Sequence, residues 1–208
     1  SMYFSGSAMP LRKEIRKVLL IGSGPIVIGQ ACEFDYSGTQ ACRALRECGV
    51  RVVLLNSNPA TIQTSAGVAD RTYIEPMTPS VLERIILREA VDAILPTMGG
   101  QTALNLAIAL DDRGFFRKHR VAVIGASIDA IRKAENRELF KKSMRRIGLD
   151  MPKSAMAHSA GEALTVAKQI GFPVVLRPSF TLGGTGAGIA RTPHDLSLLV
   201  QRALQLGP

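Results

Sequence analysis

The chain has no tryptophan, three cysteines and three histidines in 208 residues. Cys32, Cys42 and Cys48 form no C-x-x-C pair, make an odd number and lie far from His119, His158 and His194. Neither a disulfide framework nor a zinc site is expected, and a reducing, cytoplasmic setting suits such thiols. No apolar run approaches the roughly 20 residues that span a bilayer; residues 18–21 and 103–110 come nearest, bounded by glycine or charge. Seven phenylalanines and three tyrosines, without RNP-like or zinc-finger spacing, argue against a nucleic-acid module. There is no G-x-x-x-x-G-K-[ST], which excludes a P-loop. Residues 1–8 lack a basic segment and an apolar segment, so they are no signal peptide and read as an expression scar before Met9.

What is present is the balance of a soluble globular chain, 46% apolar and 21% charged, long enough for one large or two small domains. Lys and Arg number 26 against 17 Asp and Glu, a formal charge of +9 that draws anions of any kind. From Lys17 short apolar runs alternate with amphipathic stretches. Strands are expected at Lys17–Ile21, Arg51–Leu55, Ala93–Leu95 and residues 121–124. Helices are expected over residues 39–48, stopped by Gly49; over Pro79–Glu89, capped by Thr78; and, following residues 98–102, through Leu110. Strand, glycine-bearing loop and helix, repeated, predict parallel βαβ units with helices on both faces, and ligands outside the carboxyl ends of the strands. After Ser127 the pattern changes to a basic helical region, a Ser159–Glu162 capping box opening a helix to Ile170, strands at residues 172–177 and 187–191 around a glycine-rich loop, and a helix from Pro193. The expected domains are residues 9–127 and 128–208.

Three features invite chemistry. Gly22-Ser23-Gly24-Pro25 follows the first strand like a dinucleotide fingerprint, yet Val27 stands where the third glycine belongs and Asn56 where the ribose-binding acid belongs. The run from Pro178 to Gly188, with Gly183, Gly184, Gly186 and Gly188, is richer in glycine than a hairpin needs. Its amides can wrap a phosphate, helped by Ser179, Thr181 and Thr185; a merely flexible hairpin is the alternative. Arg177 ends the apolar run before that loop, where a charge is costly unless paired, by a phosphate or by an ordinary acid. Arg137 falls on the apolar stripe of Ala130, Ala134, Phe140, Met144 and Ile147, either reaching inward to an anion or standing after a helix break at Asn136. Lys141, Lys142, Arg145 and Arg146 read as a solvated face. No catalytic residue and no metal ligand is assigned, and none of the histidines has a partner at useful spacing.

Longer strings then carry a resemblance: residues 24–38 (GPIVIGQACEFDYSG), Asn56-Ser57-Asn58-Pro59-Ala60-Thr61, Tyr73-Ile74-Glu75-Pro76, Met98-Gly99-Gly100-Gln101-Thr102-Ala103-Leu104-Asn105 and Arg177-Pro178-Ser179-Phe180-Thr181-Leu182-Gly183-Gly184. From about Arg12 onward the chain resembles the first, carboxyphosphate half of the large subunit of bacterial-type carbamoyl phosphate synthetases. The resemblance implies a Rossmann-like, parallel-sheet pre-ATP-grasp domain followed by the truncated start of an ATP-grasp domain. It implies an ATP-dependent carbon–nitrogen ligase in which ATP phosphorylates bicarbonate and ammonia from a glutaminase small subunit yields carbamate. The remainder of the large subunit then makes carbamoyl phosphate for arginine and pyrimidine synthesis. The family's nucleotide contacts fall on Arg137 and Arg177, and its phosphate loop on Gly183 and Gly184, beside Thr185. Magnesium or manganese would be held by residues the family carries downstream, so the segment alone is expected to be inactive. The competing readings are a non-catalytic docking or tunnel-lining module and, from a different class, a dinucleotide-binding oxidoreductase domain.

Overall fold

The computed structural model describes residues 14–25, 33–178 and 186–205, apart from the Arg137 side chain. They fall into two compact units, divided between Phe140 and Lys141.

In the first unit the order is β1 (Lys17–Ile21), α1 (Glu33–Glu47), β2 (Arg51–Leu55), a 3₁₀ turn (Ile62–Thr64), β3 (Arg71–Tyr73), α2 (Pro79–Glu89), β4 (Ala93–Leu95), α3 (Gly100–Asp112), α4 (Phe115–His119), β5 (Ala122–Val123) and α5 (Ile128–Glu135). The strands form one parallel sheet, β3-β2-β1-β4-β5, with Val18 opposite both Val52 and Ala93. Alternation along β1 and β2 divides the core between two faces. Leu19, Ile21, Val53 and Leu55 pack with Leu82, Ile86, Ala103 and Leu110 of α2 and α3. Val18, Leu20, Val52 and Leu54 pack with Cys42 of α1, Val50 and Val68 on the other. Full burial of such a side chain stabilises by about 1.5–3 kcal/mol.

Sequence signals and structure agree where chemistry is local. The Thr78 hydroxyl accepts the Val81 N–H above Pro79, and Gly49 takes φ +78° at the end of α1. Three elements differ, α4 (Phe115–His119) being a short helix where no element is expected. Helix α1 is already formed at Glu33, the first described residue after the first strand's loop, ahead of the expected residue 39, and Glu33 and Asp35 lie in its first described turn. Strand β3 has no counterpart among the expected strands: Arg71-Thr72-Tyr73 is a short edge strand without an apolar run, and pairing with β2 makes it.

Carboxylates tie the amino-terminal edge of this sheet. Asp92 Oδ2 accepts the Arg16 and Lys17 N–H groups, each at 2.8 Å, and Asp70 Oδ2 accepts that of Val52 at 2.7 Å. Glu89, ending α2, takes the Tyr73 hydroxyl at 2.6 Å and Arg71 Nη1 at 2.9 Å, with Lys17 Nζ 3.6 Å away. The Tyr73 hydrogen bond foremost, then Arg71 and Lys17, hold the Glu89 carboxyl below its ordinary pKa against the opposing effect of desolvation.

The second unit contains α7 (Ala160–Ile170), the antiparallel pair β6 (Val174–Leu176) and β7 (Gly188–Ala190), and α8 (Pro193–Gln205). Ser159 Oγ caps α7 through the Glu162 N–H, while Glu162 Oε2 reaches back to the His158 N–H, one residue earlier than the usual reciprocal bond. Ala167, Ala190, Leu196 and Val200 form the core, with Val174 and Leu176 packed against it.

Candidate functional site

One face of the β6–β7 pair is covered by that core; among the described residues the other face is exposed. The register sets Val175 directly opposite Ile189, and both point away from the core, 73% and 61% exposed. Arg177 and Arg191 continue the same alternation, each two residues beyond its apolar neighbour and each exposed. An apolar pair flanked by two guanidinium groups can take a flat ring against the valine and isoleucine and an anion against the arginines. Arg177 therefore sits at the edge of a strand, as expected, but for a different reason. A charge ending a buried run needs a partner, whereas this run alternates, and its odd-numbered side chains face solvent. Ile189 carries no signal in the sequence alone; what marks it is its opposition to Val175. The next residues, 179–185, lie outside the described residues, and Gly183, Gly184 and Thr185 with them.

Arg137 opens α6 (Arg137–Arg146). The stripe expected from Ala130 to Ile147 does not form one buried face: Ala130 and Ala134 are exposed, Ile147 is 64% exposed, and the buried residue of α5 is Ile131. The cause is Asn136, whose backbone at φ −91° and ψ 111° leaves the helical region and resets the phase.

At the carboxyl edge of the first sheet the candidate glycine turn meets a buried amide pair that sequence reasoning does not pick out. Asn56 Oδ1 accepts the Asn58 N–H at 3.0 Å, which orients its amide so that Nδ2 donates to Gln63 Oε1 at 2.8 Å. Both residues are fully buried. Gly22, Gly38 and Gly99 make the room. A Cβ at Gly22 would lie 2.3 Å from Gln63 Oε1, one at Gly38 1.8 Å from Gln63 Nε2, and one at Gly99 2.4 Å from the carbonyl oxygens of both Ile21 and Gly22. The glycines here make room for side chains and neighbouring backbone. The Asn-Ser-Asn-Pro run signals a turn, but the amide pairing depends on a partner seven residues on.

Among the described residues no three His, Cys, Asp or Glu side chains are grouped to hold a metal ion, and no helix is long and apolar enough to cross a membrane. Asp195, the one acid after Arg191, accepts the Arg191 and Thr192 N–H groups, each at 3.0 Å. Those backbone bonds and the Thr192 hydroxyl hold its carboxyl below the ordinary value, and they commit it to capping α8. His119 lies against the Phe115 ring at 4.5 Å, a packing role.

Residues 14–133 match the family model described as "Carbamoyl phosphate synthase preATP-grasp domain", and residues 136–208 that described as "Carbamoyl-phosphate synthase L chain, ATP binding domain". The chain is 60% identical over 198 residues to the carbamoyl phosphate synthase large chain of Archaeoglobus fulgidus, covering 95% of this chain and 18% of that one. The large chain of Thermus thermophilus is 58% identical over 200 residues, covering 96% and 20%. The chain thus spans about a fifth of the length of these relatives. Among solved structures, the biotin carboxylase domain dimer of Hydrogenobacter thermophilus 2-oxoglutarate carboxylase, in complex with MgADP, ADP and bicarbonate, is similar at a TM-score of 0.70 and 22% identity, over 93% of this chain and 41% of that one. Campylobacter jejuni biotin carboxylase, as its β-γ-ATP complex, follows at 0.68 and 22%, over 92% and 42%. With the parallel sheet of the first unit and matches over both parts of the sequence, the chain belongs to the carbamoyl phosphate synthase large-chain family.

Proposed function

We propose that this chain is the amino-terminal part of the large chain of a cytoplasmic, glutamine-hydrolysing carbamoyl phosphate synthase. In this reading residues 9–127 are the preATP-grasp domain and residues 128–208 begin the ATP-grasp domain. The parent half transfers the γ-phosphoryl group of ATP to a bicarbonate oxygen, giving ADP and carboxyphosphate. Ammonia released by a glutaminase small subunit attacks the carboxyl carbon and displaces phosphate, leaving carbamate for the rest of the large chain to phosphorylate.

The observation that carries the nucleotide assignment is the open β6–β7 face, with Val175 and Ile189 beside Arg177 and Arg191. In this reading the adenine lies on the apolar pair and Arg177 meets the phosphates, while Arg137, Gly183, Gly184 and Thr185 are nucleotide contacts only by the family resemblance. Their contribution is charge and position, which dominate phosphoryl transfer. The nucleotide and bicarbonate named for the biotin carboxylase neighbours support this reading. Magnesium accompanies ATP in such chemistry, but the described residues do not fit it, since Asp195 is spent on its helix. Its ligands are assigned to sequence beyond this segment, and the segment alone is expected to bind nucleotide weakly and not to turn it over.

The test is bicarbonate-dependent ATP hydrolysis by the full-length large chain carrying this segment, with Arg177→Ala beside it and NADH titrated separately. A rise of about tenfold or more in the KM for ATP supports the reading. An unchanged KM, or tight NADH binding, defeats it. A docking role is a second reading, favoured by exposed Ile147, Leu149 and Met156 in the second unit. Native mass spectrometry with and without a glutaminase subunit tests it.

A further inference from the structure

The strands of the first sheet are parallel, so their starts share one edge, and α1, α2 and α4, which lead into β2, β4 and β5, end there too. Backbone bonds fix the neighbours along it. The Arg51 N–H donates to Arg16 O at 2.8 Å, that of Asp92 to Lys17 O at 2.9 Å and that of Ala122 to Asp92 O at 2.9 Å. From β2 to β5 is three strand spacings, about 14 Å.

The acids of this edge are largely occupied from within. Asp92 Oδ2 takes the Arg16 and Lys17 N–H groups. Asp70 Oδ2 takes that of Val52, while its Oδ1 lies 3.4 Å from Arg46 Nε. Glu89 holds Tyr73, Arg71 and Lys17, and Asp111 and Asp112, ending α3, hold Arg132. Seven exposed cations remain without an ion pair among the described residues: Arg16 and Arg51 at strand starts, Arg43, Arg88, Arg117 and Lys118 toward helix ends, and Arg120. The carboxylates left over at these strand starts and helix ends are Glu14 and Glu47.

Composition does not account for this, since residues 14–135 hold 14 Lys and Arg against 13 Asp and Glu; the excess is one of placement. Helix carboxyl ends favour cations, which accounts for Arg88, Arg117 and Lys118. It does not account for Arg16 and Arg51, which are outside helices. Nor does it account for Arg120, whose φ of +57° at the end of α4 is the left-handed conformation that favours glycine. Two grooves adjoin here. Arg43, Arg46 and Arg51 line one of about 510 Å³ with Glu47 and Asp70, and Lys17, Arg51 and Arg71 line the next, of about 500 Å³, with Asp70 and Glu89.

We propose that this edge of the first unit is a docking surface for an acidic polypeptide segment of a partner protein. Guanidinium groups pair with carboxylates through two parallel bonds, and arginine is enriched at protein interfaces. Nucleic acid suits the edge less. Asp70 and Glu89 interrupt the cations in these grooves, where a phosphate backbone needs a continuous positive track, and no aromatic side chain lines either groove for a base to stack on. The proposal is independent of the nucleotide reading, which concerns the second unit.

The test is fluorescence anisotropy of a labelled poly-glutamate peptide with the full-length large chain carrying this segment, at low and at physiological salt. The peptide should bind, more weakly as salt rises, and Arg43→Glu/Arg51→Glu should weaken it about tenfold or more. Arg84→Glu/Lys133→Glu, the same change of charge at exposed, unpaired positions away from this edge, should leave it about unchanged. Arg120→Gly suits the left-handed backbone, so it should weaken binding severalfold without lowering the melting temperature. No binding, or equal losses in the two double variants, overturns the proposal. So does duplex DNA of equal charge bound more tightly than the peptide through the same arginines.

Discussion

Asn56 and Gln63 face each other through a 2.8 Å amide hydrogen bond inside the carboxyl edge of the first sheet, with no solvent at either side chain. The pair holds the loop after β2 against the Gly22 turn and against α1. In this fold that edge is the conventional place for a ligand, and the buried amide pair takes up part of it. The candidate binding face lies instead on the second unit.

Adding a methyl group at this edge should be costly to different degrees. Gly99→Ala would drive its Cβ into two backbone carbonyl oxygens at 2.4 Å, which cannot swing away. Gly38→Ala would meet the end of the Gln63 side chain at 1.8 Å, which can move at the expense of its bond to Asn56. Both should destabilise the first unit by about 1–3 kcal/mol, Gly99→Ala the more. Urea unfolding followed by hydrogen exchange in β1 and β4 checks this; equal, negligible losses would show that the edge relaxes freely.

Acid should weaken the first unit partly through Glu89. Its folded-state pKa lies below the ordinary value of 4.5, so its contribution to stability is complete above that value and is lost as the pH falls through the folded pKa. Glu89→Gln should therefore lower the melting temperature at pH 7 and flatten its decline from about pH 5 downward. Tyr73→Phe should do the same more weakly, having removed the foremost of the bonds that lower the pKa. Melting curves from pH 7 to 3 decide, and a parallel decline in all three proteins would exclude Glu89 as the source.

The two described cysteines should differ in reactivity. Burial raises the Cys42 thiol to about 11 and encloses it, whereas Cys48 is exposed. Under native conditions at pH 8, peptide mapping after brief iodoacetamide treatment should find Cys48 modified and Cys42 protected. Modification of Cys42 at a comparable rate would mean that α1 opens from the sheet.

On the second unit, function and stability should separate. Val175→Ser and Ile189→Ser remove side chains that are already mostly in water, so the melting temperature should barely move, within about 0.5 kcal/mol. Nucleotide affinity in the full-length chain should fall severalfold. Unchanged affinity would remove this face from the base-binding role.

The legible parts of the fold are those written in local chemistry. β1, β2 and β4 are Val, Leu, Ile and Ala runs that need both faces buried, and Thr78-Pro79 and Ser159 announce helix starts within four residues. Arg71-Thr72-Tyr73 is not legible, because an edge strand needs no apolar pattern and is made by its neighbour. Gln63 is not legible either, since a buried amide is tolerable only beside a partner that the fold supplies. For the candidate site, pattern reading names Arg137 and Arg177; the break at Asn136, one of its two readings of Arg137, is present, whereas the run before Arg177 is not the buried one expected. A single Asn at 136 shifts a helical phase, and a two-stranded sheet covered on one side turns a run that reads as buried into an alternating one.

The bonds from Asp92 to the amides of Arg16 and Lys17 join residues 76 and 75 positions apart. β1 is central in the sheet, between β2 and β4. During synthesis it emerges early and then waits. Only when β4 has left the ribosome can its second edge be paired and its amino end tied, so most of the first unit must be made before its central strand is secure. In that interval Val18, Leu19, Leu20 and Ile21, later without solvent exposure, are open to any passing strand.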